Sequence, residues 1–246
     1  MTTEYDPIAE EYAESKQLVF RMYSEVPNHL AMLGDVSGLR VLDLACGDGF
    51  YTRRIRNAGA DCVLGVDVSA EMIDHALAQE AADPIGLHYR ACSATDLSSL
   101  STDSFDLAST AFLFNCARNQ QELLEMFRQI TGQLRSGGRL CATVGDLGHQ
   151  PNVDYSKYGM RTCIKNDLPE GAPYEITFLL ESREFTITDF NHSLSTYQKM
   201  GEAVGLTFQG WYPCTVTPEG IQKYGEAFWR DWIESPCIWR FSAVKN

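Results

Sequence analysis

The sequence predicts a doubly wound α/β fold: a parallel central sheet with helices on both faces, an N-terminal helical cap and a lid inserted after the fifth strand. Three observations carry this reading. Short apolar runs alternate with helical segments between Val41 and Val144, the first run ends in a glycine turn that opens a helix, and the pattern fails from Asp146 to Glu175. Strands alternating with helices build parallel βαβ units. An irregular stretch as long as the third reads as a lid or substrate loop. One domain is expected over residues 1–246: a helical cap (1–34), a core (35–145), a lid (146–192) and a closing helix with strands (193–246).

Composition bounds the partners. With 44% hydrophobic and 22% charged residues the chain reads as an ordinary globular protein. A net charge of −13, with no basic stripe to offset it, argues against nucleic acid or an anionic membrane as a partner. No apolar run is long enough to span a bilayer, and the acidic start Met1-Thr-Thr-Glu-Tyr-Asp is unlike a targeting peptide. The eight cysteines form no C-x-x-C pair and no zinc-spaced cluster. Several, such as Cys62 and Cys141, fall in strand-like runs, so a reducing, cytoplasmic setting is expected.

Residues 6–34 read as helical. Ile8, Ala9, Tyr12 and Ala13 share a face, and Val19, Met22 and Val26 continue the pattern before Pro27 interrupts it. The organising stretch follows: Val41-Leu-Asp-Leu44 as a buried strand, the turn Ala45-Cys-Gly-Asp-Gly49, and a helix from Phe50. Glycine lets the turn bend sharply and approach a ligand. A dinucleotide fingerprint would need a third glycine where Thr52 stands. Asp43 and Asp48 also make the turn acidic, which suits an ammonium or sulfonium better than a pyrophosphate. The next strand, Cys62–Val66, ends at Asp67, where a βαβ unit places the carboxylate that takes ribose hydroxyls. Ser69 is a helix cap before the stripe Met72, Ile73, Ala76 and Leu77. Further strands are expected at Leu87–Ala91, Phe105–Ser109 and Arg139–Val144. Asn119 and Glu122 open an amphipathic helix between the last two. After the lid, Tyr174–Ile187 reads as extended and Ser193–Val204 as a helix. Two closing strands are expected at 206–212 and 237–244, with the aromatic segment Phe228–Trp232 between them.

The acidic turn Asp43-Leu-Ala-Cys-Gly-Asp-Gly49, the run Gly65-Val-Asp-Val-Ser69 and the junction Leu134-Arg-Ser-Gly-Gly-Arg-Leu140 resemble the ordered motifs of class I S-adenosylmethionine (SAM)-dependent methyltransferases. Phe112-Leu-Phe-Asn-Cys-Ala117 and Lys157-Tyr-Gly159 are similar to a small-molecule group of these enzymes that includes the toxoflavin-pathway N-methyltransferase. The resemblance covers roughly residues 5–145 and implies a Rossmann-like seven-stranded sheet, the strand-like pieces after the fifth strand completing it. SAM is the implied cofactor and S-adenosylhomocysteine its product. The implied SAM-binding residues are Tyr5, Tyr12, Asp43, Ala45, Cys46, Gly47, Asp67, Val68, Met72, Ser93, Ala94 and Thr110. The run Tyr5–Tyr12, with Lys16 and Arg21 after it, resembles the segment that closes over the cofactor. Ser93 stands where the family usually has an acid, and Asp96 is a nearby substitute for it.

The segment after the fourth strand lacks the (Asp/Asn)-Pro-Pro-(Tyr/Phe) signature of methyltransferases acting on base amines or glutamine. It also lacks the strand-end acid of the metal-dependent catechol group. Metal-independent, in-line transfer to N, O or C of a small aromatic or heterocyclic metabolite is therefore expected. Phe112, Phe114, Tyr155 and Tyr158 are the candidate substrate residues, and His149, Tyr158 and His192 the candidate catalytic ones. Two alternatives stay open, an NAD-dependent oxidoreductase and a non-methylating SAM-binding or cyclase protein. A homodimer also stays open.

Overall fold

The computed structural model describes residues 5–246; residues 1–4 of the expected cap, and most of the acidic start, lie outside the described residues. The main sheet has seven strands: β1 (Arg40–Leu44), β2 (Cys62–Asp67), β3 (His88–Ala91), β4 (Phe105–Ala111), β5 (Leu134–Gly145), β9 (Leu206–Pro213) and β10 (Ile238–Lys245). Their order is β3-β2-β1-β4-β5-β10-β9. The first five run parallel, while β10 is antiparallel to both β5 and β9. The order reverses beside β1, so β1 and β4 diverge to opposite halves of the sheet and open a crevice at their C-terminal tips.

Strand alternation divides the core. Leu42, Leu44, Val66 and Ala108 face one layer, packed on Leu123, Phe127 and Ile130 of α5 (Gln120–Gln133) and on Tyr197 of α6 (Leu194–Glu202). Val41, Val63, Leu107 and Cys141 face the other, against Val26 and Leu33 of α2 (Val26–Leu33) and Tyr51 and Ile55 of α3 (Phe50–Asn57). Side-chain caps start the helices as expected. Ser69 accepts from the Met72 N–H at 3.1 Å to open α4 (Ala70–Ala82), and Asn119 accepts from the Glu122 N–H at 2.9 Å to open α5.

Three differences from the sequence reading have plain causes. Pro27 does not interrupt the cap; it sits in the first turn of α2, where its missing N–H costs nothing. Before it, the cap is broken into α1 (Ala9–Glu14), a 3-10 turn at Ser15–Gln17 and a π turn at Arg21–Glu25. The extended 174–187 stretch does not join the main sheet. It forms a hairpin, β7 (Pro173–Leu179) with β8 (Glu184–Phe190), edged by β6 (Met160–Arg161) as a separate sheet. The alternating residues Ile176, Phe178, Phe185 and Ile187 bury against Phe20 of the cap, and against Trp229 and Trp232 of α7 (Glu226–Glu234). The lid is thus one small core assembled from three distant parts of the chain, and it sits over the β4 and β5 tips through Phe112, Leu147 and Ile238.

Candidate functional site

The two strand tips read from sequence meet in space. The Asp67 carboxylate accepts the Gly47 N–H through one oxygen and the Ser69 N–H through the other, both at 2.9 Å, tying the glycine turn to the head of α4. Each oxygen keeps a lone pair for a ligand hydroxyl. Burial pushes the Asp67 carboxyl up, against the Ser69, Gly47 and Val68 amides that hold it down. Gly47 has φ +55°, and a Cβ there would meet only the Met72 sulfur, at 4.0 Å, so the turn presents an open cradle. Val68 is 45% exposed beside Asp67, an apolar side chain available to a ring, whereas Met72 is buried beneath it.

Asp43 lies lower, fully enclosed, accepting the Thr52 hydroxyl at 2.7 Å. Burial pushes its carboxyl up to about 7, against the hydroxyls of Thr52 and Ser109. Ser109 continues into a polar string: its Oγ meets His29 Nε2 at 3.0 Å, and His29 Nδ1 meets Thr143 Oγ1 at 2.9 Å. Burial pushes the imidazole down to about 4, so His29 is a neutral bridge between α2, β4 and β5. Lys16 reaches the same neighbourhood from the cap, its ammonium 4.5 Å from the Tyr12 ring centre. Burial pushes it down to about 8, with Arg21 adding to the fall and Glu25, Asp48 and Asp43 opposing it.

Backbone strain gathers at the tips. Ala45 (φ +52°) after β1 and Phe112 (φ +65°) after β4 are in the left-handed region, which is costly for residues with a Cβ and marks sites where geometry is imposed. Thr110, at the end of β4, is buried with its hydroxyl unpartnered among the described residues. Cys46 turns inward, its sulfur lying against the Gly65 backbone, so only its main chain serves the turn. Ser93 and Ala94 follow β3 half-buried; the Ser93 hydroxyl is engaged with Thr95 at 2.8 Å. Asp96 is exposed, one carboxylate oxygen accepting from the Ser98 N–H and hydroxyl.

Beyond the β4 tip lies a cavity lined by Tyr5, Tyr12 and Arg21 of the cap, Phe112, Phe178 and Asp189, together with aliphatic side chains of the lid. Tyr5 and Tyr12 pack edge to face at 5.5 Å, and burial pushes the Tyr12 phenol up to about 12. Phe112 lines the cavity as expected. The other substrate and catalytic candidates do not. Phe114 is carried inward by a 3-10 turn (Leu113–Cys116) and stacks on Phe127 at 4.2 Å in the main core. Tyr155 and Tyr158 are buried lid residues whose hydroxyls donate to the Ser235 and Phe228 carbonyls, at 2.7 and 2.8 Å. His192 is fully buried, bound to the Ala117 carbonyl at 2.8 Å and to Glu170 at 3.2 Å. His149 pairs with Asp146 at 2.7 Å outside the set of residues that line the cavity. Asp189, Glu25, Tyr51 and His29 escaped the sequence reading. No local pattern in the sequence marks them.

The seven-stranded order with its flanking helices is that of the Rossmann-like methyltransferase fold. Comparison with known proteins agrees: residues 41–138 match the family model described as "Methyltransferase domain", less than half of the chain. The ubiquinone biosynthesis O-methyltransferase of Rattus norvegicus is 33% identical over 112 residues, 44% of this chain and 31% of that protein. A tRNA U34 carboxymethyltransferase of Psychrobacter arcticus is 32% identical over 114 residues, 44% of this chain and 32% of that protein. The chain thus spans about a third of the length of these curated relatives. Among solved structures, a SAM-dependent methyltransferase from Mesorhizobium loti superposes over 94% of this chain and 100% of its own, with TM-score 0.68 and 21% identity. The residues present fit SAM. An open glycine cradle, a carboxylate with spare lone pairs, an exposed apolar side chain and a buried ammonium are groups chemically suited to its amino-acid, ribose and adenine parts.

Proposed function

We propose that this chain transfers the methyl group of SAM to N, O or C of a small, flat, mostly apolar metabolite that enters under the lid, where the cavity has about 30 Å³ as it stands and must open to admit a ring. One observation carries the reading: the strained Phe112 follows β4 beside the β1 turn and also lines the cavity, so the two spaces adjoin. When bound, SAM supplies an electrophilic methyl on a sulfonium.

The protein's own part is binding, alignment and exclusion of water. Asp67 would accept the ribose hydroxyls, and Val68 would lie against the adenine, with Ser93 and Ala94 near it. The Gly47 turn and Asp43 would receive the cationic amino-acid end, and Lys16 its carboxylate. Tyr5 and Tyr12 close the cap over both spaces. In this reading no histidine takes a catalytic role, and Phe112 is the substrate-facing aromatic.

A net charge of −13 favours a small molecule over nucleic acid, even though one relative's name refers to tRNA. The eight free cysteines suit a reducing, cytoplasmic compartment. Among the described residues no helix is long and apolar enough to cross a membrane. Incubation with methyl-labelled SAM and a panel of aromatic and heterocyclic metabolites tests the proposal. Label transferred to one class of ring supports it. SAM binding without transfer to any ring would leave the non-methylating reading in its place, and NADH binding without SAM binding would favour the oxidoreductase.

A further inference from the structure

We propose that Tyr89 is a positioning residue for the cofactor: its ring props the far end of the 45–49 turn and so fixes where that turn meets the amino-acid end of the ligand. This rests on the reading of the turn as part of the cofactor site and adds the side chain that sets its shape.

The two glycines of the turn have different roles. A Cβ at Gly47 would meet only the Met72 sulfur, at 4.0 Å, which leaves its side open to a ligand. A Cβ at Gly49 (φ +86°) would collide with Tyr89, whose Cζ would lie 3.0 Å away and whose hydroxyl oxygen would lie closer still. Tyr89 reaches there from β3, the outer strand of the sheet, where it pairs in register with Gly65 of β2. Its ring crosses Gly65: a Cβ at that position would fall 2.7 Å from the ring carbon Cδ1 and 3.0 Å from the Cys46 sulfur. Gly65 is outside the left-handed region, so its backbone does not ask for a glycine. A glycine inside a strand weakens it and marks the close approach of another group. Here that group is the Tyr89 ring, and one tyrosine accounts for two glycines.

Hydrogen bonds leave the Gly49 end of the turn to be set by packing. The Cys46 N–H donates to the Val66 carbonyl at 3.1 Å and the Gly47 N–H to Asp67 at 2.9 Å, which ties the near part of the turn to β2. The Gly49 N–H donates to the Cys46 carbonyl, and the Gly49 carbonyl accepts from Arg53, so both bonds stay within the turn and α3. What lies against Gly49 from outside is Tyr89. The contact is one of shape. The hydroxyl is buried with no hydrogen-bond partner among the described residues. Burial pushes the phenol up, Cys46 and Asp43 adding to the rise, so Tyr89 stays neutral and brings no charge to a cationic ligand.

The test is calorimetric titration of the full chain with two ligands: S-adenosylhomocysteine, and 5′-methylthioadenosine, which keeps the adenine and ribose but has no amino-acid end. Tyr89→Leu should weaken S-adenosylhomocysteine by about tenfold or more and methylthioadenosine by no more than about threefold, a split that a general loss of structure would not give. Tyr89→Phe keeps the ring and should restore S-adenosylhomocysteine affinity to within about threefold of wild type. Gly65→Ala adds a methyl against the ring and should also weaken S-adenosylhomocysteine; combined with Tyr89→Leu, which frees that space, the loss should be smaller than the product of the two. If Tyr89→Leu fails to fold, Gly65→Ala carries the same comparison of the two ligands. A folded Tyr89→Leu protein that keeps S-adenosylhomocysteine within about threefold, equal losses for both ligands, a Tyr89→Phe loss as large as that of leucine, or losses that simply multiply would each overturn the proposal. Failure of wild-type protein to bind S-adenosylhomocysteine would instead overturn the methyltransferase reading beneath it, so the two failures are distinguishable.

Discussion

Asp67→Asn perturbs the junction at which the cofactor's ribose is proposed to bind. In the native structure each carboxylate oxygen accepts one backbone N–H, from Gly47 and from Ser69, both at 2.9 Å. An asparagine keeps the shape but must turn its NH2 toward one of these amides, setting donor against donor. That leaves one buried N–H unmade, at about 1–3 kcal/mol, and removes the charge that would strengthen the proposed ribose contacts. Part of the loss falls on the free protein as well, because the same amides are misplaced there. The part felt by the ligand is set at about 1.5–3 kcal/mol, a weakening of roughly 10- to 150-fold. Calorimetric titration of S-adenosylhomocysteine into both proteins measures it directly, with far-UV circular dichroism to confirm that the variant is folded. A folded Asp67→Asn protein whose affinity stays within about twofold of wild type would refute the assignment of this carboxylate to the ribose.

Asp43 should make cofactor binding depend on pH. Its carboxyl is raised to about 7 from an ordinary value near 3.8, so the folded state holds a proton there that the unfolded chain has released. The associated stability is complete below the unfolded value and is lost as pH rises through about 7. A cationic ligand prefers the carboxylate, so SAM affinity should climb by up to about tenfold per pH unit towards 7 and level off above it, a slope that Asp43→Asn should flatten. Glu25→Leu strands the buried Arg21 and should destabilise the protein by about 3–5 kcal/mol in urea unfolding, far more than loss of an exposed ion pair. Phe114→Ala should cost about 3–5 kcal/mol of stability, while the affinity of the folded fraction for S-adenosylhomocysteine is unchanged. Ala45→Gly relieves a left-handed alanine and should raise the urea midpoint, by an amount corresponding to at most about 1 kcal/mol.

The strand tips at which the cofactor is proposed to bind were legible because their geometry is carried by the backbone. A strand, a turn rich in glycine and a helix have fixed sequence signatures, and Asp67 is located by the period of the βαβ unit itself. The caps at Ser69 and Asn119 and the two closing strands follow from equally local rules. The lid was legible only as a failure of pattern. Its core joins Phe20, Phe178 and Trp232, residues from three distant segments, and no local period announces such a meeting. For the same reason Asp189 was not singled out within β8, although its alternation with Ile187 puts it in the cavity. Phe114 shows the opposite error. Aromatics after β4 were read as substrate-facing, but the 3-10 turn rotates this ring into the main core and leaves Phe112 outside it. Tyr155, Tyr158 and His192 look reactive as isolated residue types; in the fold the two hydroxyls donate to backbone carbonyls, and His192 is held by the Ala117 carbonyl and the Glu170 carboxylate.

The account stands on the tips of β1 and β2 gripping one charged methyl donor, and direct calorimetry tests this most simply. Purified protein titrated near neutral pH with S-adenosylhomocysteine, and separately with NADH, should show saturable one-to-one heat with the first and none with the second. No heat with S-adenosylhomocysteine from folded protein, or saturable heat from NADH alone, would contradict it.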